Sequence, residues 1–108
     1  MTGKIQKRIA FGYNRGPANQ IEINEAQAVT VKLLYEYYTD GVGIRAIAEM
    51  LESHGIPSPY NNPKWGAQAI ANILSYERYV GDADYPAIID RDLYDRVQAI
   101  RQSRAKAS

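Results

Sequence analysis

The sequence predicts an α+β domain, mainly helical, with a helix-turn-helix-like core and a small β-hairpin or a few short strands. Three observations carry this reading. Apolar residues recur at three- and four-residue spacing through most of the chain, the mark of amphipathic helices. Strict alternation is confined to FGYNRGPANQIEI near the start. Two short helical segments then follow one another, and the second is polar on one side.

Length and composition set the frame. A chain of 108 residues with a hydrophobic fraction of 45% fits one domain with its own core. There are no cysteines, so disulfides, thiol nucleophiles and cysteine-based zinc sites fall away together. No stretch approaches the roughly 18 apolar residues of a membrane span. The start, MTGKIQKRIAFGY, has no long apolar run and no small-residue cleavage site, so it does not read as a signal peptide. A cytoplasmic protein is expected.

In FGYNRGPANQIEI, Phe11, Tyr13, Ile21 and Ile23 alternate, and Gly16-Pro17 with Asn19 supplies the turn. NEAQAVTVKLLYEYYTDG is the first helix. Asn24 is an N-cap, and Gln27 three residues on gives a capping-box pattern. Val31, Leu34, Tyr35 and Tyr38 form one apolar row, and Val29, Leu33 and Tyr37 widen it, so the helix is expected at the centre of the core. Gly41 ends it.

GIRAIAEMLESHGIP is the second helix. Ile44, Ile47, Ala48 and Leu51 lie on one face, Arg45 and Glu49 suit a surface pair, and Gly55 with Pro57 stops it. A third helix is expected over residues 66–75, with Ile70, Ile73 and Leu74 inward. YERYVGDADYPAIID reads as extended, a strand that pairs with the hairpin. Asp90 then caps a last helix with Leu93, Val97 and Ile100 inward, which runs into a basic, Ala-rich end.

Net charge is +1, but its distribution is uneven. Lys4, Lys7, Arg8 and Arg15 stand at the start without an acid, and Arg96, Arg101, Arg104 and Lys106 near the end. The stretch 17–58 is acidic. Both ends therefore suit a polyanion, or simply solvent.

The third helix raises the functional question. KWGAQAIANIL and the serine after it carry Gln68, Asn72 and Ser75 at helical spacing and no acid. In a helix-turn-helix the second helix enters the DNA major groove, where an acid would meet phosphates and amides suit adenine edges. Gln68 and Asn72, with Ala67 and Ala71 beside them, fit base contact. Lys64 and Arg78 flank the helix and fit phosphate contact, as do Lys7, Arg8 and Arg45. The plain alternative is a solvated polar face, and the connection is longer than the three or four residues of the compact motif. Trp65 reads as a core-packing staple rather than a base-stacking ring.

Other chemistry finds little footing. His54 is the only histidine and sits at a helix end, where it favours the dipole. Asp82, Asp84 and Asp90 lack calcium-loop spacing. Gly41-Val42-Gly43 is too short for a phosphate loop. No cofactor, metal site or catalytic residue is expected. The rival classes are a protein-interaction module using the Tyr-rich helix 25–40 and a small self-contained enzyme.

The order FGY, INEAQAV, YYTDGVGIRAIAEMLESHGIPSP, KW, ANILSYERYVGDA and PAIIDRDLYDRVQ resembles the recombinase domain of large serine site-specific recombinases. The resemblance spans about residues 10–102. It leaves 1–9 as the end of a linker and 103–108 as a basic tail. It implies sequence-specific binding of double-stranded DNA at an attachment or crossover site. In such enzymes this domain follows a catalytic domain, and a zinc ribbon usually comes after it. The family's nucleophile lies in a Tyr-x-Arg-x-Ser motif of the catalytic domain. The nearest string here is Tyr76-Glu77-Arg78-Tyr79-Val80, with valine in the serine's place. The resemblance therefore implies a DNA-binding middle domain, inactive alone, whose parent recombines DNA and assembles on it through other domains. Ala10, where proline is common, and Gly43, where a serine N-cap is common, depart from the family pattern.

Overall fold

The computed structural model describes residues 9–59 and 62–107, with side chains as far as Arg104 in the last helix. Its elements run β1 (Tyr13–Arg15), β2 (Ile21–Ile23), α1 (Glu25–Thr39), α2 (Ile44–Ser53), α3 (Ala67–Leu74), a 3-10 turn (Glu77–Val80) and α4 (Arg91–Ala107). Four helices and one two-stranded antiparallel sheet bear out the mainly helical α+β reading. Helix α4 continues unbroken past position 102.

The hairpin pairs Tyr13 with Ile23 and Arg15 with Ile21, and Asn19 takes a positive φ in its turn. Gly12 joins it to α1. Its N–H donates to Gln27 Oε1 at 2.8 Å, and its carbonyl accepts from Asn24 N at 2.8 Å. The Gly12 φ is +106°, and a Cβ there would stand 3.0 Å from Ile88 Cδ1, so glycine is required on both counts. Only half of the expected capping box forms. Asn24 Oδ1 accepts from Gln27 N, but the Gln27 side chain serves Gly12 instead of Asn24.

Helix α1 is the centre of the core. Val31, Leu34 and Tyr35 are fully buried, and α2, α3 and α4 all pack on it. Its apolar face is narrower than expected. Val29 is 57% exposed and points away, because its row lies about a third of a turn from the Val31–Leu34–Tyr38 row. Leu33 and Tyr37 are half-buried.

Helices α1 and α2 end alike. Val42 N donates to Tyr37 O and Gly41 N to Tyr38 O; Ile56 N donates to Leu51 O and Gly55 N to Glu52 O. Each is a Schellman closure around a glycine of positive φ. Arg45 and Glu49 are exposed but form no ion pair among the described residues, contrary to the expected surface pair.

Residues 76–90 correct the strand expectation. A 3-10 turn over Glu77–Val80 follows Tyr76, and the next segment bends without joining the sheet. The reason is Tyr79. Its carbonyl accepts from both Ile88 N (2.8 Å) and Ile89 N (3.1 Å), folding the chain back on itself. Its phenol is buried, donates to Phe11 O at 2.7 Å, and is pushed up in pKa by burial. Asp90 does cap α4, through Leu93 N at 2.7 Å. Val97 is buried, while Leu93 and Ile100 are only half-buried. Tyr94 supplies the other buried position of α4 among the described side chains.

Candidate nucleic-acid interface

Helix α3 spans Ala67–Leu74 between Gly66 and Ser75, as its periodicity predicts. Ile70, Ile73 and Leu74 are buried, while Gln68 and Asn72 are exposed. The two amides do not stand apart. Gln68 Nε2 donates to Asn72 Oδ1 at 2.8 Å, one helical turn on. Ser75, the third polar position, turns back instead: its hydroxyl donates to Ala71 O at 3.0 Å. Tyr76 takes the next place on the stripe. It is half-buried and, with Asn72, Ala69 and Phe11, lines a surface groove of about 160 Å³.

An eight-residue helix in water does not hold itself together; neighbours fix this one at both ends. At its start, Trp65 N donates to Glu52 Oε2 on α2 at 2.7 Å. The Trp65 indole is buried, donates to Ile56 O at 2.8 Å, and meets Phe11 edge-on at 5.9 Å between centroids. It is the staple the sequence suggests. At the other end, three carbonyls of the closing turn accept from side chains of α1 and α4. Tyr35 Oη donates to Ile73 O (2.8 Å), Gln98 Nε2 to Leu74 O (2.6 Å) and Tyr94 Oη to Ser75 O (3.1 Å). Burial pushes the Tyr35 phenol up, so it stays a donor. The exposed face of α3 is thus held on a rigid support, despite the long connection over residues 54–66.

The charged candidates are scattered. Lys64 is exposed just before α3 and forms no ion pair among the described residues. Arg78 lies beyond its far end and is engaged. Its Nε is 3.5 Å from Asp82 Oδ2, and its guanidinium sits 4.8 Å from the Tyr85 ring centroid. Asp82 accepts from Tyr85 N and Asp84 N, and these bonds hold its carboxyl below the usual range. Glu77, beside Arg78 in sequence, pairs with Arg91 at 3.1 Å. Arg45 is exposed in the first turn of α2. Lys7 and Arg8 lie outside the described residues.

Glu52 is the contributor that sequence reasoning missed, since nothing local announces an acid accepting a backbone N–H thirteen positions on. The Tyr-rich helix offers little in exchange. Tyr35 and Tyr38 are in the core, and the Tyr38 ring is covered by the Arg104 guanidinium at 4.4 Å. Among the described residues no group of three or more His, Asp or Glu could hold a metal ion, and no helix is long and apolar enough to cross a membrane.

Fold and face together define a small helical module that presents one short, acid-free helix from a fixed scaffold. The model of the Recombinase family matches residues 25–104, and the chain belongs to that family. Two solved structures share the fold. One, described as "Crystal Structure of a LSR-DNA Complex", superposes with a TM-score of 0.74 at 23% identity, over 93% of this chain and 34% of that one. The other, described as "Sequence Requirements of the Listeria innocua prophage attP site", gives a TM-score of 0.69 at 22% identity, over 86% of this chain and 42% of that one. This chain therefore matches about a third of the first and about two fifths of the second. No curated protein matches.

Proposed function

We propose that this chain is a sequence-specific double-stranded DNA-binding domain of a site-specific serine recombinase, and that α3 is its reading helix. The observation that carries the proposal is the face of α3. It exposes two amides and no acid, and it is tied to the core at both ends. Amides offer the donor and acceptor that base edges match, and a rigid support fixes where they fall. The domain occupies residues 10–102. Lys64 supplies phosphate contact, with Arg45, Arg78, Lys7 and Arg8 as further cations toward the backbone.

Strand cleavage belongs to the parent protein and not to this domain, because it needs an activated hydroxyl. Val80 stands where the family's serine would be, in a string committed to the 3-10 turn. The parent is proposed to act on an attachment or crossover site in the cytoplasm, oligomerising through other domains. A protein-interaction role for helix 25–40 is disfavoured, since its tyrosines are largely spent in the core.

The test is a binding-site selection on random duplex DNA, followed by affinity measurements over a range of salt. A defined consensus bound far more tightly than random duplex is expected, with a steep salt dependence. Weak binding equal on all duplexes would sink the sequence-specific reading, and no binding at all would sink both.

A further inference from the structure

The hydrogen bond between the two exposed amides gives them unequal roles. Each side-chain amide has one acceptor oxygen and two N–H donors. Gln68 Nε2 gives one hydrogen to Asn72 Oδ1. Gln68 keeps its Oε1 and a second N–H, the pair needed to accept from adenine N6 and donate to adenine N7. Asn72 Oδ1 has one of its two lone pairs taken by Gln68. A two-bond adenine contact through Asn72 would have to share that oxygen, whereas the acceptor of Gln68 is wholly free. A free glutamine on a helix surface also samples many rotamers, and ordering it on binding costs free energy. A bond from the next turn of the same helix removes part of that cost beforehand.

We infer that Gln68 alone reads an adenine edge, with two hydrogen bonds, and that Asn72 is a positioning residue that orients the Gln68 amide. The inference deepens the DNA-binding reading above and rests on it. The two residues form one reader of one base pair, not two readers of two.

The experiment uses the full 108-residue chain on its selected duplex, with every base pair replaced in turn, for the wild type, Gln68→Ala, Asn72→Ala and the double variant. The wild type should lose roughly five- to 150-fold on replacing the adenine read by Gln68. Gln68→Ala should abolish that discrimination. Asn72→Ala should flatten discrimination at the same base pair, and the double variant should be no worse than Gln68→Ala. Placing 7-deazaadenine at that position should weaken the wild type and leave Gln68→Ala unaffected. Asn72→Asp keeps an oxygen that accepts from Gln68, so it should retain the discrimination while binding all duplexes more weakly through phosphate repulsion. A loss confined to Asn72→Ala at a different base pair, additive with Gln68→Ala, would overturn the unequal roles and leave the DNA-binding reading intact. Unchanged discrimination at every position in Gln68→Ala would overturn the inference, and unchanged discrimination in the double variant as well would overturn α3 as the reader. Matching unfolding midpoints for all variants would exclude misfolding as the cause.

Discussion

Helices α1 and α3 make opposite use of their side chains. Helix α1 is long, aromatic and committed to the interior: Val31, Leu34, Tyr35 and Tyr38 are all buried, and its rings touch other rings. Helix α3 is half as long and buries only Ile70, Ile73 and Leu74, leaving its amides in solvent. The contrast teaches that the conspicuous residues, a cluster of tyrosines, hold the fold. The inconspicuous ones, amides and alanines, hold the available surface. A helix that must face a partner cannot stabilise itself with that face, so its support has to come from elsewhere.

The largest expected effect tests that division of labour at the contact between the two helices. Tyr35 is fully buried and its hydroxyl bonds to Ile73 O. Tyr35→Ala should cost about 3–5 kcal/mol of stability in a denaturant titration, as for other large-to-small aromatic changes in cores. Tyr35→Phe should cost less, roughly 0.5–1.5 kcal/mol, because it removes one hydrogen bond without opening a cavity and leaves Ile73 O its bond from Tyr76 N. By contrast Gln68→Ala and Asn72→Ala should each stay within about 0.5 kcal/mol of the wild type. A comparable loss at Gln68 or Asn72 would mean that α3 stabilises the fold through its outer face, and the contrast would break.

The next effect concerns the other end of α3. Glu52→Ala removes the acceptor for Trp65 N and should cost roughly 1.5–3 kcal/mol, the range for a hydrogen bond to a charged group. Glu52→Gln keeps an oxygen in place and should recover part of it. Under the proposed function, Glu52→Ala should also reduce base discrimination, although Glu52 reaches no base. Stability loss with discrimination unchanged would show that the start of α3 holds its place without this anchor.

A smaller effect separates the two flanking cations. Lys64 has no partner among the ion pairs of the described residues, while Arg78 is held by Asp82 and lies over Tyr85. Lys64→Ala should flatten the salt dependence of duplex binding by roughly one unit. Arg78→Ala should flatten it less, since breaking its ion pair offsets part of any phosphate contact. An Arg78 effect equal to that of Lys64 would show that the Asp82 pair opens on DNA.

Much of this was legible in the sequence, for identifiable reasons. Periodicity placed all four helices, because each buries one face and leaves the other in water. Gly41 and Gly55 marked helix ends, because the closures there need a positive φ. The inward and outward residues of α3 followed from the same phase. What sequence could not show was long-range hydrogen bonding. Residues 76–90 have the apolar pair and extended look of a strand, but the Tyr79 carbonyl captures Ile88 and Ile89 before they reach the sheet. Gln27 matched a local capping box, yet Gly12 takes its side chain. The candidate face was visible as a stripe; its internal bond and its Glu52 anchor were not. Ser75 fitted that stripe by spacing and turned inward to its own helix, since a serine hydroxyl at this position reaches a carbonyl four residues back.

The smallest effect compares α2 with α3 directly. Both begin at a glycine, Gly43 and Gly66, in extended conformation with no side-chain cap, and a Cβ at either would meet nothing within 4 Å. Serine fits both backbones, and its oxygen can accept from an N–H of the first turn. Gly43→Ser and Gly66→Ser should each stabilise the fold by a few tenths of a kcal/mol, seen as a small rise in the unfolding midpoint. Their effects on DNA should differ. At Gly43 the hydroxyl enters the first turn of α2, and affinity for the selected duplex should not move. At Gly66 it stands two residues before Gln68, occupies an N–H otherwise free to face a phosphate, and should weaken binding measurably. The same atom is added to the same kind of cap, so stability cannot account for any difference. Equal affinities for the two variants would remove the first turn of α3 from the DNA, and the reading face would then have to begin later, at Asn72 on the helix and Tyr76 beyond its end.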